Sequence, residues 1–169
     1  MAITKIQSES MNLADTYAFT GTVTGAGESN VPAFFAVSST TGETTFISST
    51  DTKVNMGTEI LDTDNCYSSS RFTPTTAGYY YLHGQIGVNS MNDQDSVFIK
   101  IYKNGSYLTG SFNATASPAT GYGILINTSL VVYMNGSSDY VELYGYQNNA
   151  SNKTNWDVTC KFGGFLLTT

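Results

Sequence analysis

Ala77-Gly78-Tyr79-Tyr80-Tyr81-Leu82-His83-Gly84 sets three tyrosines in a row behind a glycine. Successive side chains of a strand point to opposite faces, so a strand with one face in water alternates apolar with polar residues. This stretch carries an aromatic ring on both faces. As a strand it needs cover on both sides, and the sequence must say what covers the second.

The surroundings read as β-structure. Pro32-Ala33-Phe34-Phe35-Ala36-Val37 is a strand with its proline at the start, where proline is tolerated. Thr44 to Ile47 is a short strand, and Lys53 to Leu61, with Val54, Met56 and Ile60 apolar, reads as another. Thr73-Pro74-Thr75-Thr76-Ala77-Gly78 is a turn, and the tyrosine strand follows it to about Asn89. Ser96 to Lys103 runs into Asn104-Gly105, the strongest short hairpin signal in the chain, and Tyr107-Leu108 starts the return strand. Tyr122 to Met134 is a long apolar strand ending at Asn135-Gly136, Tyr140 to Tyr146 alternates, and a last strand lies near Trp156 to Leu167. No window has helical periodicity. Many short strands at turn-punctuated spacing predict an all-β sandwich or barrel.

Composition bounds the rest. The 169 residues suit one domain, or one domain with an arm. Charged residues make up 12 %, about half the usual share, and Ser, Thr, Asn and Gly take their place. A net charge of −6 with seven Lys plus Arg leaves no basic stripe, which excludes a phosphate-tracking nucleic-acid partner. The apolar runs are too short to span a bilayer as a helix, so no membrane insertion is expected. Met1 to Gln7 has no apolar stretch behind its lysine, so no secretion signal is expected there. A start of that kind joined to a weakly charged, extracellular-looking surface fits a virion protein, made in the host cytoplasm and released by lysis. Cys66 and Cys160 read as free, partly buried thiols, and neither has a second cysteine at metal-ligand spacing.

Residues 1–31 differ from residues 32–169. Ile3, Ile6, Leu13, Tyr17 and Phe19 are loosely spaced, and the segment ends in small residues. It reads as an arm that docks onto another protein.

Catalytic chemistry finds little to build on. His83 is the single histidine and sits between tyrosines mid-strand, where a packed or interface role outweighs a catalytic one. No glycine-rich phosphate loop leads into a helix. No enzyme is expected.

Several residues fall in a known order. Asn65, Tyr67, Phe72, Pro74, Gly78 and Tyr80, with Leu82 in a slot usually aromatic, are followed by Lys103-Asn104-Gly105, then Asn135 to Val141, then Phe162-Gly163-Gly164-Phe165-Leu166. Over residues 32–167 this resembles the globular head of complement C-one-q, which shares the jelly-roll fold of tumour necrosis factor. The resemblance implies an antiparallel jelly-roll β-sandwich that assembles as a homotrimer, one sheet of each subunit packing around a threefold axis. Tyr79, Tyr80, Tyr81, Tyr144, Phe162 and Phe165 are then the expected core and trimer-interface residues, and neighbouring subunits cover the second face of the tyrosine strand. Asp62 with Asp64, and Asp93 with Asp95, read as solvated turn residues, and no cofactor is expected. Because some members of that family bind calcium, calcium at these pairs stays open as the alternative.

The phrase from Ile3 to Ser10 and from Phe19 to Val23 resembles segments of tailed-phage virion proteins. The expected function is a virion structural protein: a trimeric knob on the particle surface, acting as capsid decoration protein or short head fibre, held to the major capsid protein by its arm. The alternative is a receptor-binding adhesin that recognises host-surface glycan or protein.

Overall fold

The computed structural model describes residues 31–114 and 122–169. The expected arm, including Ile3, Ile6, Leu13, Tyr17 and Phe19, lies outside the described residues apart from its last residue, Val31.

Thirteen strands follow in order: β1 (Ala33–Val37), β2 (Thr45–Phe46), β3 (Thr52–Lys53), β4 (Thr58–Asp62), β5 (Tyr67–Ser68), β6 (Arg71–Phe72), β7 (Ala77–Met91), β8 (Ser96–Lys103), β9 (Ser106–Ala114), β10 (Tyr122–Asn135), β11 (Val141–Gln147), β12 (Lys153–Thr154) and β13 (Lys161–Thr168). A single 3-10 turn, Asp157–Thr159, is the only helical element among the described residues. One sheet has the order β10-β7-β13-β1-β4, the other β5-β6-β11-β8-β9 with β3 also on β11, and β12 pairs β2. Every strand pairing is antiparallel. Strands distant in sequence lie side by side, as in a jelly-roll sandwich.

The core forms where the two sheets face each other. Phe34, Phe46, Phe72, Tyr80, Leu82, Ile86, Ile99, Leu143 and Phe162 are all fully buried there. Phe34 stacks on Phe72 at 4.1 Å and meets Phe162 edge-on at 5.0 Å, while Phe72 meets Tyr80 at 5.5 Å. Tyr80 keeps its hydroxyl satisfied by donating to the Thr76 carbonyl at 2.8 Å, the usual condition for burying a tyrosine. Residues of the family-like string therefore meet in space, since Tyr67, Phe72, Tyr80, Leu82 and Phe162 all belong to this core.

Asn104 and Gly105 turn the β8–β9 hairpin with φ of 52° and 76°. Two positive φ values in succession fit a type I′ turn, which explains the Asn-Gly pair.

Two sequence expectations need correction. Lys53 to Leu61 is not one strand. It divides into β3, on the six-stranded sheet, and β4, at the edge of the five-stranded sheet. Between them Val54 and Met56 are buried, and the Asn55 and Met56 amides donate to the side-chain oxygens of Thr44 and Ser70. A loop crossing the end of the sandwich buries alternate residues as a strand does, so the pattern alone could not separate them. The last strand begins at Lys161 rather than near Trp156, because Asp157–Thr159 turns the chain first.

Candidate functional site: the outer face of the five-stranded sheet

On β7, Gly78, Tyr80, Leu82, Gly84 and Ile86 point into the sandwich, and Tyr79, Tyr81, His83 and Gln85 point away from it. Backbone register extends this outer face sideways. Tyr133 lies opposite Tyr79, Val131 opposite Tyr81, Ser129 opposite His83 and Asn127 opposite Gln85 on β10. On the other side of β7, Phe165 pairs Tyr81, Gly163 pairs His83 and Lys161 pairs Gln85. Phe35 on β1 pairs Gly163, and Leu61 on β4 pairs Phe35.

These rows divide the face in two. The half nearer the start of β7 is apolar. Val131 is 55 % exposed, Tyr79 50 %, Tyr133 49 % and Phe165 44 %. Their rings contact one another, with Tyr79 meeting Tyr133 at 5.4 Å and Tyr81 meeting Phe165 at 5.5 Å. No second layer of this chain covers them among the described residues. A contiguous exposed patch of this kind marks an interaction surface.

The other half is polar and concave. Phe35, Tyr81, His83, Gly84, Gln85, Asn127, Thr128, Ser129 and Lys161 line an open hollow of about 400 Å³. Burial, and then the Lys161 ammonium, hold the His83 imidazole below its ordinary pKa.

The outer face of the six-stranded sheet differs in kind. Glu142 accepts from Lys53 at 2.7 Å and from Arg71 Nε at 2.9 Å. Burial works against its charge, and these two donors outweigh burial, so the carboxyl stays below its usual range. Asp51 accepts from Lys100 and from the Tyr102 hydroxyl, both at 2.5 Å. The bond to Asp51, with burial behind it, pushes the Tyr102 phenol up to about 12. All four ion pairs among the described residues lie off the Tyr79–Phe165 face.

The expected interface and core residues therefore separate into three groups. Tyr80 and Phe162 are buried core. Tyr79, Tyr81 and Phe165 share the apolar face. Tyr144 stands on the opposite sheet, its ring tilted against Tyr102 at 4.3 Å. Val131 and Tyr133, absent from the expected set, complete the apolar face; their signal was the run Leu130-Val131-Val132-Tyr133, apolar on both faces like the tyrosines.

Of the paired aspartates, Asp62 ends β4 and is half-buried, while Asp64, Asp93 and Asp95 lie between strands. Asp62 accepts from the amides of Asp64, Cys66 and Tyr67, and these bonds hold its carboxyl below the usual range against the opposing effect of burial. Asp95 accepts from the Asn92 amide and from the Asn149 side chain. Among the described residues no group of three or more His, Cys, Asp or Glu side chains could hold a metal.

No family model matches the chain, and no curated protein matches it. Among solved structures the chain is similar to one titled "Structure of Eiger TNF from S. frugiperda", with a TM-score of 0.63 at 10 % identity, over 83 % of this chain and 94 % of that one. At that identity the likeness is one of fold, and it agrees with the strand order: the described residues form an antiparallel jelly-roll sandwich of the tumour necrosis factor kind.

Proposed function

We propose that the chain is a self-assembling knob of a phage particle, a homotrimer whose subunits meet through the apolar half of the five-stranded sheet. The observation that carries this reading is the exposed patch of Tyr79, Val131, Tyr133 and Phe165, with the half-buried Tyr81 ring against Phe165. Tyrosine and phenylalanine suit protein interfaces because they bury much area with few rotors to freeze. A second copy supplies the cover that the chain itself lacks, and cyclic closure around a threefold axis satisfies every copy at once.

The role on the particle, capsid decoration protein or short head fibre, draws on residues 1–31. Their resemblance to phage virion segments and their scattered apolar side chains support anchoring to the major capsid protein. An adhesin that recognises host-surface glycan is the second reading. It draws on Tyr107 and Phe112, rings left 58 % exposed on the other sheet.

Two measurements test this. Sedimentation velocity of the full chain at micromolar concentration is expected to show a trimer, and Val131→Lys a folded monomer; a monomeric full chain refutes the assembly. Capsids stripped of accessory proteins are expected to co-sediment with the full chain and not with a chain lacking residues 1–31. If neither binds while intact host cells do, the adhesin reading replaces the capsid one.

A further inference from the structure

The hollow beside the apolar patch has a composition that the patch does not explain. Self-association calls for apolar area, yet the rows Asn127–Gln85–Lys161 and Ser129–His83–Gly163 place a cluster of hydrogen-bonding groups on the same face. Gly163 sits beside two of the lining side chains, His83 and Phe35. A Cβ there would stand 2.8 Å from His83 Nε2 and 2.8 Å from Phe35 Cδ2, so any other residue would displace these two walls of the hollow. Among the described residues the side chains of Lys161, His83, Asn127 and Ser129 make no hydrogen bond or ion pair with the protein. Gln85 is anchored, its amide nitrogen donating to the Thr159 carbonyl at 2.9 Å, which leaves its oxygen free to accept.

The charge balance is also unusual. The chain carries nearly twice as many acidic as basic residues, yet no carboxylate lines this hollow. On the other sheet Lys53 and Arg71 are neutralised by Glu142 and Lys100 by Asp51. Lys161 is half-buried on the hollow wall with no counter-charge. A free ammonium, surrounded by hydroxyl, amide and imidazole donors, is complementary to an anion with several acceptor oxygens. Phe35 and Tyr81 supply an apolar wall, and the volume falls in the range of small-molecule sites.

We infer that this hollow binds a small oxyanion, a carboxylate or sulfate group on inorganic salt or on a sugar acid, with Lys161 as counter-ion and Asn127, Ser129 and His83 as neutral hydrogen-bonding partners. The site is built within one chain and does not depend on self-association. In a trimer closed through the neighbouring patch, an anion in each hollow would also offset the repulsion among three Lys161 side chains.

The single histidine makes the test direct, since one imidazole gives one set of ring proton signals. The full chain is titrated at constant ionic strength with sodium sulfate, with sodium glucuronate and with glucose, and the His83 signals are followed by NMR. At least one of the two anions is expected to move them to saturation, and glucose is not. Which anion saturates separates an inorganic from a sugar-acid source. Lys161→Gln is expected to weaken that binding about tenfold or more, with an unchanged melting temperature showing that the fold survives. Shifts that stay linear for both anions, glucose shifts equal to theirs, or an unaltered curve in Lys161→Gln would overturn the inference. Sedimentation of the same samples reports the oligomeric state, so a failed anion site and a failed trimer remain distinguishable.

Discussion

Gly163 faces His83 across the β13–β7 ladder, and a side chain at position 163 would collide with both His83 and Phe35. Gly163→Ala overpacks that row, because the added methyl also comes within 3.1 Å of the Phe34 carbonyl. The expected cost is about 1–3 kcal/mol, with a lower melting temperature by about 2–4 °C for each kcal/mol. Calorimetry checks this, and an unchanged or raised melting temperature would show that the row has slack.

His83 makes stability pH-dependent in one direction. Burial and then Lys161 depress its folded pKa below the unfolded value of about 6.5. Between those two values the unfolded chain holds the extra proton, so protonation favours unfolding. Its contribution is present in full above about pH 6.5 and is lost as pH falls through the folded pKa. Urea unfolding between pH 7.5 and 5 is expected to show falling stability in the wild type and a flatter profile in His83→Gln; parallel profiles would remove His83 as the cause.

Glu142 holds β3, β6 and β11 together through a single carboxylate, bonded to Lys53 and Arg71. Its side chain is 4 % exposed, whereas Lys53 and Arg71 reach solvent at 30 % and 43 %. Glu142→Gln leaves both cations without a counter-charge, at an expected cost of about 1–3 kcal/mol, toward the lower end because the cations are hydrated. The folded pKa lies below the unfolded one, so this stability is present above about pH 4.5 and is lost as pH falls through the folded value. The variant is therefore expected to differ from wild type at pH 7 and to converge with it in acid. A constant difference across that range would refute the ionic origin.

Local patterns in the chain were legible where one contact decides the outcome. The two-residue period of β7 and the Asn104-Gly105 turn both follow from backbone rules acting within a few residues. Tyr79 and Tyr144 carry the same local signature, an aromatic on an alternating strand, yet they lie on opposite sheets, because β7 pairs β10 and β13 while β11 pairs β8. Sheet membership is a long-range property that alternation does not encode. The hollow needed more still. Only the register across three strands brings Asn127, Gln85 and Lys161 into one row, and a one-residue slip would turn each to the other face.

The two cysteines give the sharpest test of burial. Cys66 and Cys160 are free and 6 % and 0 % exposed. Burial, followed for Cys66 by the Asp62 charge, pushes the Cys66 thiol up to about 12; burial, against a hydrogen bond to Gly87, pushes the Cys160 thiol up to about 11. Only the thiolate attacks an aromatic disulfide reagent, and at pH 8 both thiols hold almost none. Native protein is expected to react slowly, at a rate set by opening of the fold, while denatured protein releases two equivalents at once. Rapid native labelling of one thiol would identify the region that opens first: Cys66 would point to the Asp62 loop, and Cys160 to the turn ahead of β13 that closes the five-stranded sheet.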